Sequence, residues 1–143
     1  MKLKDFLVIK YGKNQSQVVC NTSKIPIIGT GGIFGYASTF LYDKPSVLIG
    51  RKGTINNPMY IDKPFWTVDT LFYTEINNSL VIPKWFYYKM LTINLLKLNE
   101  GTTIPSLRTE TLYNIDIDVP SLKCQQHIID IKILFKIYGG ILC

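Results

Sequence analysis

The stretch Gly101–His127, GTTIPSLRTETLYNIDIDVPSLKCQQH, constrains the fold more than any other part of the chain. It opens on a polar turn, Gly101-Thr102-Thr103. Ile104-Pro105-Ser106-Leu107 then leads toward a short helix. Pro105 excludes the helical conformation for the residue before it, and Ser106 carries an oxygen able to cap the amides that follow. Ile115, Ile117 and Val119 alternate with Asp116 and Asp118, the period of a half-buried strand. Pro120 breaks that strand, and Ser121 is placed to cap a last helix from Leu122. Loop, helix, strand and helix in such close succession belong to an α+β domain.

The rest of the chain supplies strands and one longer helix. Short strands are expected at Val8–Tyr11, at Ile25–Ile28 (an edge strand or strand entry, because of Pro26), at Val47–Gly50 and at Met59–Ile61. The aromatic run Phe65–Thr74 reads as one further strand. Pro83 starts a helix from Lys84 to Leu98, with Trp85, Tyr88, Leu91, Leu95 and Leu98 at helical spacing and a stripe wide enough to pack on two sides. The expected architecture is a small twisted, partly closed sheet flanked by helices and ending in a truncated C-terminal helix.

A chain of 143 residues is one domain with room for a core. Cys20, Cys124 and Cys143 form neither a disulfide framework nor a zinc signature, so a cytoplasmic location is expected. The N-terminus has no long apolar run, and Ile128–Cys143 is too short and too charged to span a bilayer. The net charge of +6 is unevenly placed: residues 1–63 hold nine basic groups against three acids, and the remaining 80 residues hold seven of each. That asymmetry fits a half that faces a polyanion, and it fits equally a solvated, lysine-rich surface.

The basic and polar residues lie in loops. Lys13-Asn14-Gln15 follows the first strand; Asn and Gln can pair with adenine, and Lys can reach guanine or phosphate, although an ordinary surface loop would look the same. Gly29-Thr30-Gly31-Gly32 lacks the helix and the acidic residue that a dinucleotide fingerprint needs, so its glycines serve a tight turn or a close approach. Arg51-Lys52 leaves the strand Val47–Gly50, where an arginine fork suits guanine or phosphate but also a surface carboxylate. Asn57-Pro58-Met59-Tyr60 resembles an adenine methyltransferase motif, yet Met59 stands where a second proline belongs and no credible cofactor loop accompanies it. His127 is the one histidine, and no nucleophile–base pair or metal cluster is visible.

Taken together, G-T-T-I-P-S-L-R, L-x-N-I-x-I-x-V-P and L-x-x-Q-Q-x-I resemble the end of a target recognition domain from the specificity subunits of type I restriction-modification enzymes. Ile9–Lys13, Gly29–Gly32, Val47–Thr54 and Phe65–Thr70 continue the resemblance upstream in the family's order. The resemblance implies a non-catalytic DNA-binding component without a cofactor of its own, reading one half of a bipartite double-stranded target. The modification subunit would flip the adenine, and the restriction subunit would cleave. The residues expected to touch DNA are Lys13, Asn14, Gln15, Thr30, Lys44, Arg51, Lys52, Thr103, Ser106 and Arg108. Residues 1–121 would be the recognition domain and 122–143 the truncated start of the conserved spacer helix, with Ile128, Ile131, Phe135 and Tyr138 on one side and Gly139-Gly140 ending it. A helix so short implies a monomer rather than a homodimer. Two other readings stay open: a methyltransferase fragment around Asn57-Pro58, and an interaction domain that competes for the modification subunit without binding DNA.

Overall fold

Ser46-Val47-Leu48-Ile49-Gly50 is buried at every residue. A strand sends alternate side chains to opposite faces, so a strand buried throughout must be covered on both. Val47 and Ile49 enter a core made with Leu3, Phe6, Trp85, Phe86, Leu112 and Ile129. Leu48 enters a second core with Ile27, Ile28, Phe65, Trp66 and Leu71. Each fully buried side chain of this size contributes about 1.5–3 kcal/mol.

The computed structural model describes the backbone of residues 1–142 and the side chains of residues 1–137. Strands are β1 (Leu7–Tyr11), β2 (Ile25–Gly29), β3 (Gly32–Ala37), β4 (Ser46–Gly50), β5 (Met59–Ile61), β6 (Trp66–Thr67) and β7 (Leu71–Ile76). Helices are α1 (Pro83–Met90), α2 (Thr109–Tyr113) and α3 (Leu122–Leu142). One antiparallel sheet has the order β1-β7-β4-β5, and a second has the order β3-β2-β6, with β2 and β6 parallel. The helices cover one face of the first sheet and the second sheet covers the other, giving an α+β domain with two open sheets rather than one partly closed sheet.

Backbone pairing of β4 with β7 is confined to Ile49↔Phe72 and Gly50↔Leu71. Beyond it, two buried hydroxyls take over the ladder. Ser46 Oγ donates to Thr74 O at 2.6 Å and accepts from Thr74 N at 2.9 Å. Thr74 Oγ1 accepts from Val47 N at 3.1 Å and donates to Val47 O at 2.8 Å.

Several expectations change. The aromatic run 65–74 is two strands, β6 and β7, in different sheets, with a turn at 68–70 between them. β2 is a central strand; Pro26 is tolerated near its entry because the parallel ladder with β6 begins one residue later, at Ile27↔Trp66. α1 ends at Met90, and only a short 3-10 turn (Leu95–Leu98) continues it. The Thr92 hydroxyl there takes the Lys89 carbonyl at 2.7 Å, and Leu91 is half exposed. α2 starts at Thr109, with Arg108 rather than Ser106 at its cap position, and buried Leu107 and Leu112 anchor it. Residues 115–119 keep their alternating burial without joining a sheet: Leu3 N donates to Ile115 O and Ile117 N to Met1 O, with a single bridge at Lys2↔Asp116.

Ser121 does open the last helix, its Oγ accepting from Cys124 N at 3.2 Å. Gln125 is fully buried there. It accepts from Ile82 N at 2.7 Å and donates to Leu80 O at 3.0 Å and Pro120 O at 2.8 Å, tying α3 to the start of α1. Gly139-Gly140 does not end α3, which runs through Leu142. Ile128 and Ile129 pack against the core, whereas Ile131 and Phe135 are 49% and 76% exposed. The Tyr138 side chain and Cys143 lie outside the described residues.

Candidate nucleic-acid interface

The loops that leave β1, β2, β4 and β6 meet at one end of the two sheets. β1 and β4 each pair with β7 so that Tyr11 and Gly50 both lie near Leu71–Phe72. β2 runs parallel to β6, so Gly29 and Thr30 lie toward the turn that follows Thr67. Gly50 is needed for that convergence: a Cβ there would stand 2.0 Å from the Thr54 carbonyl oxygen, well inside contact distance. Gly101 plays the same part in the facing loop, where a Cβ would lie 1.8 Å from Ile104 O.

Arg51 is the centre of this end. Its N–H donates to Thr70 O at 2.8 Å and its carbonyl accepts from Leu107 N at 2.9 Å. Its guanidinium donates through Nη1 to Asp69 O at 2.8 Å and lies 5.2 Å from the centre of the Tyr11 ring. No carboxylate pairs with it among the described residues; a backbone carbonyl and an aromatic face hold it instead. The rest of the planar fork remains available to a ligand. Lys52, exposed, pairs by backbone with Ser106, and Gly53 N donates to Pro105 O at 2.9 Å. These bonds clasp the 51–53 loop to the 105–107 loop. Between them opens a hollow of about 340 Å³ lined by Tyr11, Arg51, Lys52, Ser106, Arg108 and Glu110, among others.

Arg108 is 74% exposed and lies 3.4 Å from Glu100, which also accepts from the Thr111 hydroxyl. Asn99 shapes the loop before it, its Oδ1 accepting from Gly101 N at 2.8 Å and Ser106 N at 2.9 Å. Thr103 is exposed in that loop. Lys13 borders the same end: its N–H donates to Thr67 O at 2.9 Å and its carbonyl accepts from Trp66 Nε1 at 2.9 Å, which leaves the side chain in solvent. Gln15 follows it, half-buried.

Two expected residues fit less well. Asn14 Oδ1 already accepts from Ser16 N at 2.9 Å and Ser16 Oγ at 2.6 Å, so the oxygen that would pair with adenine closes a local turn. Lys44 lies beyond Ser46, at the other end of β4 from Arg51, and does not join the cluster. Sequence reasoning missed Tyr11, which is 53% exposed and whose ring supports Arg51; an aromatic just before a glycine and a lysine was the available signal.

The other chemical candidates resolve structurally. Tyr60 packs on Lys84 Nζ at 5.0 Å and on Tyr87 at 6.0 Å between ring centres, and Asn57-Pro58 is irregular backbone leading into β5. His127 is exposed on α3. Among the described residues no group of histidine, cysteine and acidic side chains could hold a metal ion, and no helix is long and apolar enough to cross a membrane.

Comparison with solved structures finds the same fold in a type I restriction-modification system S subunit from M. genitalium, at 17% identity and a TM-score of 0.79, covering 95% of this chain and 38% of that one. The HsdS subunit of Thermoanaerobacter tengcongensis matches at 13% identity and a TM-score of 0.70, covering 99% and 38%. A chain from a study of the assembly and conformational transition of the type I R-M system matches at 15% identity and 0.77, covering 99% and 39%. This chain therefore spans well under half the length of those proteins. No curated protein sequence matches it at a significant level. The model of the type I restriction modification DNA specificity domain matches residues 1–139, nearly the whole chain, and the protein belongs to that family.

Proposed function

We propose that this chain reads one half of a bipartite duplex DNA target for a type I restriction-modification complex, without catalysing any step itself. The observation that carries this reading is the gathering of Lys13, Arg51, Lys52 and Arg108 at one end of the domain, on loops clasped by backbone bonds. Exposed cations give affinity through phosphate, and a fixed arginine fork gives discrimination between bases. Arg51, Lys52, Arg108, Lys13 and Gln15 are the proposed contacts, with Thr30, Thr103 and Ser106 beside them; Asn14 and Lys44 are placed less well for the task. Residues 1–121 would form the recognition unit and 122–143 the beginning of the spacer helix. The modification subunit, acting in the cytoplasm, is the proposed partner and supplies the cofactor and the chemistry.

Fluorescence anisotropy with a labelled duplex tests this. Binding should weaken as salt rises, with a log–log slope that counts the phosphates neutralised. Titration with S-adenosylmethionine should give no binding. Tight cofactor binding with salt-independent DNA affinity would instead favour a methyltransferase fragment, and loss of all DNA binding would favour a competitor for the modification subunit.

A further inference from the structure

The β2–β3 hairpin carries a feature that charge reading does not account for. Ile28 pairs with Ile33 and Ile27 with Gly35, which leaves Phe34 as the extra residue of a β-bulge. A bulge removes its extra residue from the ladder and re-aims the side chain. Phe34 is 58% exposed, and Ile33 and Tyr36 beside it are 55% and 42% exposed. The ring is nevertheless held in place. Its Cε1 lies 3.2 Å from the point a Gly29 Cβ would occupy, and Val68 Cγ2 lies 3.7 Å from the same point. The ring thus leans over bare glycine backbone beside Val68. Val68 N donates to Ile28 O at 3.1 Å, and the next residue, Asp69, holds the Arg51 guanidinium. An exposed apolar ring therefore stands on the same end of the domain as the cationic loops.

We infer that Phe34 is an apolar DNA-contact residue, its ring packing against a base where the duplex step is opened. This rests on the DNA-binding reading above. The occupant is duplex DNA rather than a protein, because the ring stands beside Val68, whose chain neighbours Thr67 and Asp69 are bonded by Lys13 and Arg51 at the end where the cations gather. Proteins that bind the minor groove frequently set apolar side chains between base steps, partly unstacking them and kinking the duplex. The contact is blind to charge, so it adds affinity without releasing counterions.

The probe is the duplex recovered by selection with the full chain, carrying 2-aminopurine at each position in turn. The parent should raise 2-aminopurine fluorescence at one or two adjacent positions, the mark of an unstacked base. Phe34→Ala should abolish that rise and lower affinity about 5- to 100-fold, the range seen when an aromatic stacked on a base is removed. Its salt slope should stay that of the parent, whereas Lys52→Ala should lower the slope. Phe34→Trp should keep both affinity and the fluorescence rise. If Phe34→Ala loses its fold by circular dichroism, Phe34→Gln, which still reaches over Gly29 but is not apolar, carries the same test with the same expected loss of signal. A Phe34→Ala protein that matches the parent in affinity and fluorescence overturns the inference while leaving the DNA reading intact. So does a variant that keeps DNA binding but loses association with the modification subunit. A parent that binds no duplex overturns the DNA reading and this inference together.

Discussion

Arg51 Nη1 donates to the Asp69 carbonyl oxygen at 2.8 Å. The bond joins the loop after β4 to the turn between β6 and β7, and it aims a guanidinium that would otherwise sweep through solvent. Arg51→Ala should therefore weaken DNA binding by about 1–3 kcal/mol and relax preference at one base position, with little change in thermal stability. Lys52→Ala, which removes an exposed charge only, should lower the salt slope by about one. Anisotropy titrations across a salt series separate the two. Identical behaviour of the double variant and the parent would remove this loop from the interface.

Thr74 Oγ1 accepts from Val47 N and donates to Val47 O in a fully buried position. Thr74→Val keeps the shape and removes both bonds, leaving a donor and an acceptor without partners. Chemical denaturation should show a loss of about 1–3 kcal/mol for each stranded group.

Leu112 is fully buried under α2. Leu112→Ala should cost about 2–5 kcal/mol by the same measurement. A loss below about half a kilocalorie would mean that α2 is not held by this side chain.

The Met1 amino group lies 2.8 Å from Asp116 Oδ1, and that hydrogen bond with its charge holds the Asp116 carboxyl below the ordinary aspartate range. A carboxyl depressed in the folded state contributes stability that is present above its unfolded pKa and is lost as pH falls through the folded one. Thermal melts of Asp116→Asn and the parent should therefore differ modestly at neutral pH and converge in acid. The pair is exposed, so the difference should shrink with added salt.

How much of this was legible follows from where each partner lies in the chain. β4, β5, the Ser121 cap and the anchoring of Leu107 and Leu112 rest on local pattern, and each could be read from a few neighbouring residues. Residues 115–119 could not, because their partners are Met1 and Leu3, more than a hundred positions away. The run 65–74 is apolar throughout, and its break comes from outside: Lys13 bonds Thr67, and Arg51 bonds Asp69 and Thr70. The exposure of the cationic loop after β4 was legible. The Tyr11 ring beside Arg51 and the position of Lys44 at the other end of β4 were not, since both depend on which ends of β1 and β4 meet β7.

α3 presents Ile131, Leu134 and Phe135 to solvent, at 49%, 52% and 76% exposure. Apolar stripes of this kind mark interaction surfaces. Light scattering should show association that rises with protein concentration, and Phe135→Asp should reduce it. A species that stays monomeric at high micromolar concentration, for parent and variant alike, would count against this.

Selection of bound sites from a random duplex library decides whether this chain reads DNA sequence. The chain should enrich one short, gapless sequence, the half-site of a bipartite target. Its affinity alone should be weak, nearer the non-specific range of about 10⁻⁴–10⁻⁶ M than that of a complete dimeric reader. Arg51→Ala should lose preference at one position of that sequence. A library recovered with no enriched sequence, from a folded chain at low salt, would contradict it.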